Sequence, residues 1–500
     1  MATTGTSSID MIHFYLSALS KRLREYLIVL LICILSGCAT APKFSLQQDV
    51  LSAGLSPEDV SVLMIPLGSN TKSITLNSEK LMKPASTLKL LTTATALDVL
   101  GSEWRGQTQF RIHKLDVARQ TLTAPLIIKG LSDTDLSYGE LHFMLQQLFD
   151  QGVRHIPAGI QIDRESFSPS RPYSTSIPFD DAPRARYNHV PDPLMLQQNM
   201  HWLSLDSSEH SLKAWISPHW TAVEVDVSAL RLNTSSCDQF SIHQQQIQVE
   251  TADNKPLRLK ITGEFPTSCQ WNSQLELLDR DLNVQLAVQT YWQQLGGTIG
   301  EKIVFTQASA DSQLVVQHMG RPLPEIVYRV NKFSDNALAR LLYANLSTIQ
   351  AANADAGQKS LPTQASADQQ IAHWLKQHQI SNVGLIVDNG SGLSRSARMS
   401  AQQLASVLRE AWLSRHSAEF VASLPLAGVD GTLKHRFTQG PALQRARLKT
   451  GTLRDVTALA GYVWDRHNQP WIFVGFVNSP RASSLGKPLL DRWVEQLAGQ

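Results

Sequence analysis

The sequence is short of charge, of metal-binding patterns, of cysteine and of long apolar runs, and each shortage removes a class of function. Formal net charge is only +2 and no basic run occurs, so no electrostatic footprint for nucleic acid is present. Fifteen histidines and 43 acidic residues show no ligand spacing such as His-x-x-x-His on one helix, so neither a metal nor another cofactor is expected. The apolar run Leu27–Leu35 falls well short of the ~20 residues that a membrane-spanning helix needs. Cysteines number four, which leaves little material for disulfides. No internal repeat is evident.

What is there is globular in texture. Apolar residues make up 42% and charged residues 18%, which excludes wholesale disorder. A chain of 500 residues exceeds one ordinary core, so two or three domains are expected.

The N-terminus carries an address. Lys21-Arg22-Leu23-Arg24 precedes Leu27–Leu35, and Ser36-Gly37-Cys38 follows. A basic flank, a short apolar core and small residues are the anatomy of an export signal, with Met1 or Met11 as its start. Leu35-Ser36-Gly37-Cys38 also resembles the lipobox of bacterial lipoproteins. That resemblance implies removal of residues 1–37, lipidation of Cys38, a tether over 38–58 and a periplasmic protein anchored to a membrane. Ala39 and Thr40 lack the aspartate that retains some lipoproteins at the inner membrane, so the outer membrane is expected in a Gram-negative source. A soluble signal peptide with a coincidental cysteine is the plainer alternative. With Cys33 removed and Cys38 acylated, Cys237 and Cys269 remain as an even pair in an oxidising compartment. A disulfide there is worth ~3–4 kcal/mol if unstrained; two buried free thiols are the other reading.

Past the tether, Val60–Leu67 and Ser73–Leu76 read as two strands around a Gly68-Ser69-Asn70 turn. From Gln107 to Ala308 the texture changes to short alternating runs, among them Gln109–Ile112, Leu126–Ile128, Ile160–Ile162, Val223–Val227 and Leu257–Ile261. A helix over Tyr138–Gln151 and a loop-rich stretch, Ser166–Pro193, interrupt them. Helical periodicity marks Leu277–Leu295, Leu323–Ile349 and Ala401–Leu413. The Ala/Gln/Ser-rich stretch Ala351–Asp368 reads as an exposed connection. Arg445–Leu453, Val456–Val463 and Trp471–Val477 read as three adjacent antiparallel strands before a final helix, Leu485–Leu497. Front and back could close into one sheet. The expected division is a body over 59–106 and 309–500, with a β-rich insertion over 107–308 that holds a nested small domain at about 132–202.

The chemistry begins in Pro84-Ala-Ser-Thr-Leu-Lys-Leu-Leu-Thr-Thr-Ala-Thr-Ala-Leu97. Pro84 and Ser86 read as a helix entrance, with Ser86 as the cap. Lys89 is the only charge from Ser86 to Leu97, on a helix apolar all round and so buried. A lone buried lysine is costly unless neutral or partnered. Ser86 lies three residues earlier on the same face, so a hydroxyl would sit beside a desolvated amine, a nucleophile beside its base. Ser-x-x-Lys recurs at Ser69–Lys72 and Ser484–Lys487, both in ordinary surface turns. Ser334-Asp335-Asn336 lies at a helix entrance, and Lys449-Thr450-Gly451 in an alternating strand.

In this order the three motifs are the set of penicillin-binding proteins and β-lactamases. From about Asp59 onward the chain resembles the low-molecular-mass class C penicillin-binding proteins, D-alanyl-D-alanine carboxypeptidase/endopeptidases. The resemblance includes Lys83–Thr92, Phe179-Asp-Asp-Ala-Pro183 with Tyr187-Asn188, Asn331–Asn336, Asp388–Arg395, Leu424–Thr432 and Lys449–Leu453. The long gap between Lys89 and Ser334 fits that branch, in which an inserted domain carries another nested inside it. The resemblance implies an α/β (α+β) fold, a transpeptidase-like antiparallel sheet with helices on both faces. It implies Ser86 as the nucleophile, Lys89 as its base, and Ser334, Asn336 and Lys449 as further catalytic groups. Thr450, Gly451, Thr452 and Leu453 would meet the substrate, with backbone N–H groups of Ser86 and Thr452 as the oxyanion hole. A pocket for the diaminopimelate side chain would include Asp181, Tyr187, Leu393 and Arg395, with Asp180 competing for the role of Asp181. The implied partners are peptidoglycan stem peptides, and β-lactams as covalent inhibitors. Gly130–Leu136 is a degenerate form of the family's Gly-x-Gly-Asp-Pro stretch, and Asn389 stands where some members carry aspartate. A β-lactamase with the same triad and a non-catalytic peptidoglycan-binding lipoprotein are the alternatives; the long insertion opposes the first and the intact triad the second.

Overall fold

The first and last strands of the chain are neighbours. In the computed structural model, which describes residues 44–68, 72–167, 179–208, 211–250, 256–352 and 363–500, Val60–Pro66 runs antiparallel to Pro470–Asn478 along its whole length, from Val60 opposite Val477 to Pro66 opposite Trp471. The full sheet has the order Ala446–Leu453, Val456–Trp464, Pro470–Asn478, Val60–Pro66, Ile74–Leu76, and every pairing is antiparallel. The signal-like segment, Cys38 and Ser69 lie outside the described residues.

Helices cover both faces of this sheet, and the sequence shows why. Helices Lys89–Leu100, Leu323–Phe333 and Ala401–Leu413 pool Leu90, Val327 and Leu404 with Ala460, Val474 and Phe476 of the strands in one core. Gly475, between Val474 and Phe476, faces the opposite way by strand alternation. A Cβ there would come within 2.6 Å of Leu490 Cδ2, so glycine lets helix Lys487–Ala498 lie close on the second face. Ala401–Leu413 matches the sequence reading residue for residue, and the three C-terminal strands match within one residue at each end.

Three helical expectations need correction. The central α-helix begins at Lys89, preceded by a tight 3₁₀ turn over Ala85–Leu88, and Ser86 makes no capping hydrogen bond. The periodic stretch Leu323–Ile349 is two helices, Leu323–Phe333 and Asn336–Ala352. Ser334 takes a left-handed conformation (φ 60°, ψ 36°) between them, and Asp335 Oδ1 accepts the Leu338 N–H at 3.0 Å as the start of the second. Finally, helix Gln364–Gln377 begins within Ala351–Asp368, the stretch that read as an exposed connection. A Thr363–Ser366 capping box starts it and Ala367, Ile371, Trp374 and Leu375 are buried. That stripe has helical spacing, but the surrounding Ala, Gln and Ser residues mask it.

Between the halves of the body, a five-stranded sheet has the order Ile303–Phe305, Ile160–Asp163, Leu126–Leu131, Gln107–Ile112, Gln313–Met319. Gln313–Met319 pairs with Gln107–Ile112, so this sheet runs past position 308. Helices Tyr138–Asp150 and Arg280–Gln294 share a core with it. Two further small sheets are built from strands within His201–Leu275. Cys237 and Cys269 are bonded, with Cα atoms 5.4 Å apart. Residues Leu46–Gly499 form one unit.

Candidate active site

Four segments remote in sequence converge at the N-terminal end of helix Lys89–Leu100. The first is the 3₁₀ turn. Its entry is clamped by Asn478, whose Oδ1 accepts the Lys83 N–H at 2.7 Å and whose Nδ2 donates to the Lys83 carbonyl at 3.1 Å. Thr87 Oγ1 donates to the Pro84 carbonyl at 2.6 Å. Ala85 is held at φ 46°, a left-handed conformation that costs a non-glycine residue of order 1 kcal/mol or more. The Ser86 hydroxyl, spared capping, is left for Lys89, whose Nζ lies 3.1 Å from Ser86 Oγ.

Lys89 is fully buried. Besides Ser86, its Nζ donates to Asn336 Oδ1 and to the Ser391 carbonyl, each at 2.6 Å. Burial, reinforced by the charge of Lys449, holds its pKa well below the ordinary lysine value against an opposing pull from Asp335. A neutral amine has two N–H donors and one lone pair. Asn336 Oδ1 and the Ser391 carbonyl can only accept, so they take the two donors and the lone pair faces the Ser86 hydroxyl. The geometry suits a base.

The second segment is the break between helices, which presents Ser334 and Asn336. Asn336 Nδ2 donates to the Tyr187 carbonyl at 2.9 Å, which fixes Oδ1 toward Lys89. The third is the loop Asn389–Gly392. Asn389 Oδ1 accepts from Ser391 N (3.0 Å) and Ser391 Oγ (2.7 Å), while Nδ2 donates to the Leu393 carbonyl at 3.0 Å. The folded loop turns the Ser391 carbonyl to Lys89. A Cβ on Gly392 would strike the Ala85 carbonyl at 1.9 Å, so only glycine fits.

The fourth is strand Ala446–Leu453. Lys449 is fully buried, and its Nζ donates to Ser334 Oγ (2.9 Å) and the Thr450 carbonyl (2.8 Å). Burial lowers its pKa to about 7. Thr450 Oγ1 and Thr432 Oγ1 lie 2.8 Å apart. A Cβ on Gly451 would approach the Pro84 carbonyl to 2.9 Å, so glycine lets the strand abut the serine turn.

Above the two lysines opens a cavity of about 1100 Å³. Ser86, Ser334, Asn336, Thr452 and Leu453 line it together with Tyr187, Leu393 and Arg395. Lys89, Lys449, Thr450 and Gly451 support it without lining it. Asp181 does not line it; Asp180 does. Asp180 accepts from Tyr187 Oη (2.8 Å) and Asn188 Nδ2 (2.7 Å). Desolvation pushes its pKa up, but these hydrogen bonds and one from the Ala182 N–H overcome it and hold the carboxyl below its usual range. Arg395 Nη2 donates to the Phe179 carbonyl at 2.7 Å, with the guanidinium carbon 5.3 Å from the Phe179 ring centroid. One wall thus offers an anion and a cation to a ligand.

Sequence reading missed Asn478, Thr432 and the Ser391 carbonyl. Thr432 and Ser391 fall in motifs already singled out, but a backbone acceptor has no residue-type signal. Asn478 acts on main chain 395 positions away, beyond any local pattern.

The comparisons with known proteins agree with this geometry. The family model described as D-Ala-D-Ala carboxypeptidase 3 (S13) matches residues 45–497. The chain is 24% identical over 432 residues to the D-alanyl-D-alanine carboxypeptidase DacB of Haemophilus influenzae, covering 84% of this chain and 86% of that one. It is 26% identical over 397 residues to a D-alanyl-D-alanine carboxypeptidase of an Actinomadura species, covering 76% and 70%. Penicillin binding protein 4 of Haemophilus influenzae, known also in complex with a β-lactam, superposes with a TM-score of 0.73 at 22% identity, over 90% of this chain and 98% of that one. With three motifs meeting around one buried amine and a family match over nearly the whole described length, the chain belongs to the D-Ala-D-Ala carboxypeptidase 3 (S13) family of serine peptidases.

Proposed function

We propose that Ser86 is the nucleophile of a DD-peptidase that removes the terminal D-Ala of peptidoglycan stem peptides. Lys89 Nζ takes the hydroxyl proton as Ser86 Oγ attacks the penultimate D-Ala carbonyl. The tetrahedral oxyanion is met by backbone N–H groups of Ser86 and Thr452, a type of donor worth ~10²–10³ in rate. Ser334 Oγ, held by Lys449, relays the proton that Lys89 took to the departing amine as the C–N bond breaks, which leaves Lys89 neutral again. Lys449 and Thr450 attract the substrate's terminal carboxylate. Water then cleaves the Ser86 ester, its proton passing to Lys89, and the serine is regenerated.

One observation carries this reading: a buried Lys89 amine whose two obligate acceptors leave its third direction to the Ser86 hydroxyl at 3.1 Å. The same chemistry accounts for covalent capture of β-lactams. Asp180 and Arg395 along one wall support a substrate whose third residue has a zwitterionic side chain such as diaminopimelate. When that side chain's amine is itself the acyl acceptor in a cross-link, the reaction becomes a DD-endopeptidase cut.

The test is fluorescent-penicillin labelling of the wild type and of Ser86→Ala. A covalent band that vanishes in the variant is expected; a band that persists would sink the assignment. Digestion of purified muropeptides then separates the two cuts, by loss of pentapeptides or of cross-linked dimers.

We further propose that residues 1–37 are an export signal, that Cys38 carries lipid, and that the enzyme works in the periplasm from the outer membrane. Only the basic, apolar and small residues of the N-terminus support this. Cys38→Ser should move the protein to the soluble fraction, and unchanged fractionation would overturn the anchor. The strand pairings support a catalytic body built from the two chain ends, with an inserted module that runs from about 107 to Met319.

A further inference from the structure

A second cavity, of about 260 Å³, is lined by none of the residues given a role in the chemistry above. Arg186, Arg321 and Arg329 line it, with Asp135 as the one acidic residue of the wall. Asp135 is committed to Arg321, accepting its Nε–H and its backbone N–H, each at 2.7 Å. Arg186 is loosely held, with Nη2 3.1 Å from Gln198 Oε1 and 3.5 Å from Asp335 Oδ2. Arg329 has no hydrogen-bond or ion-pair partner among the described residues. The cavity therefore holds more guanidinium charge than its carboxylate balances.

The remaining lining has the same bias. Ser137, which starts the 13-residue helix Tyr138–Asp150, is part of the wall, and a helix N-terminus favours an anion. Gln197 and Gln198 are held at φ 51° and 53°, and both line the cavity. Such a backbone is unfavourable for glutamine; here it accompanies two amides in a wall already rich in donors. Leu136, Met200 and Leu338 add apolar wall, but a cation would meet three guanidinium groups against one carboxylate. The volume suits a small charged group and not a folded partner.

Its position ties it to the active site. Arg186 faces this cavity and Asp335, while the next residue, Tyr187, lines the catalytic cavity and holds Asn336 through its carbonyl. Arg329 lies on the helix that ends at Phe333, one residue before Ser334. Adjacent residues, Arg186 and Tyr187, thus line the two cavities in turn.

We propose that this cavity is a subsite for a second peptide carboxylate, one remote from the cut bond. Arg329 and Arg186 would grip it in the two-pronged manner that guanidinium groups favour. The inference rests on the peptidase reading, because stem peptides carry free carboxylates besides the one at the cleaved end.

The experiment compares two D-Ala-D-Ala muropeptides, one with a remote free carboxylate and one with that group amidated, against a short D-Ala-D-Ala peptide that lacks it. Affinity is read by calorimetry on Ser86→Ala protein, so no turnover is needed, and KM on the active enzyme. The wild-type background should bind the free-carboxylate form about tenfold more tightly than the amide, as a charged hydrogen-bonded pair implies. Adding Arg329→Gln should erase that preference and leave the short peptide's affinity, its kcat and penicillin acylation unchanged. Arg329→Lys should restore part of it. A preference that survives Arg329→Gln, or no preference in the wild type, overturns the subsite. Loss of penicillin acylation in the parent enzyme would instead strike the peptidase reading.

Discussion

Two buried lysines, Lys89 in the first turn of one helix and Lys332 in the last turn of another, differ in what surrounds them. Lys332, in the last turn of helix Leu323–Phe333, is 2% exposed, and Lys89 is 0% exposed. Desolvation lowers the pKa of both. At Lys332 a carboxylate in contact opposes it, since Asp430 oxygens lie 2.6 and 2.8 Å from Nζ, with the Leu424 carbonyl at 2.6 Å. At Lys89 every contact is neutral, and the cations Lys449 and Arg340 oppose its protonation while Asp335, not in contact, favours it. Both side chains are withdrawn from solvent, but Lys332 has a carboxylate in contact, whereas Lys89 has none and is the more fully desolvated of the two, which suits a base.

Replacing each lysine by methionine should separate the two roles. Lys89→Met removes the base, and penicillin acylation should fall by about 10³, within the range for general-base catalysis. Its melting temperature should fall as well, because the buried Asn336 Oδ1 and Ser391 carbonyl lose their donor. Lys332→Met should keep the chemistry: acylation within about tenfold of wild type, with a stability loss of ~1–3 kcal/mol. That is below the full cost of breaking a buried pair, since Asp430 is partly exposed and water will screen it. Labelling rates and thermal melts on the two proteins decide it. If Lys89→Met keeps its labelling rate, the contrast collapses.

Lys449 sharpens the comparison, because its pKa of about 7 puts its charge change within reach of a pH titration. Below pH 7 the ammonium is present and draws in a substrate carboxylate; above it the amine is neutral. Thus kcat/KM, which reports the free enzyme, should fall from pH 7 toward pH 9 for a substrate with a free terminal carboxylate, by up to about tenfold per unit. A substrate whose terminal carboxylate is esterified should lack that limb, and matched profiles for the two would remove Lys449 from carboxylate recognition. Stability moves the other way. The folded pKa lies below the unfolded value of ~10.4, so the unfolded chain holds more protons between pH 7 and 10, and this group makes folding more favourable as pH rises through that window.

Much of this architecture was legible in the sequence, for definite reasons. Val456–Trp464 and Pro470–Asn478 read clearly because they are buried at almost every position, and such strands are near-continuous apolar runs. Lys89 stood out because a charge within an apolar element is conspicuous, Ser86 because it precedes Lys89 by three positions, and Lys449 through its Lys-Thr-Gly motif. What stayed hidden is the main-chain geometry: the left-handed Ser334 that breaks a periodic run, the 3₁₀ turn that frees Ser86 from capping, and the Ser391 carbonyl that completes the shell of Lys89. Periodicity reports which side chains are buried, and these features turn on backbone atoms whose partners lie hundreds of positions away.

The smallest effect concerns Asp180 and Asp181, which are adjacent, alike in charge and both exposed. Sequence could not choose between them, because neighbours in an irregular segment have no fixed facing. The structure turns Asp180 to Tyr187 and Asn188 on the cavity wall. For a substrate with an ammonium on its third residue, Asp180→Asn should raise KM about three- to fivefold, the most an exposed ion pair usually supplies. Asp181→Asn should stay within about twofold. Because the charge faces solvent, ~1 M salt, with a Debye length near 3 Å, should shrink the Asp180 effect toward that of Asp181. A salt-insensitive loss would mean that Asp180 acts by holding the Tyr187 ring and not by its charge. An equal loss at both positions would mean that only net charge near the cavity mouth matters, and the wall would then lose its claim to recognise a zwitterion.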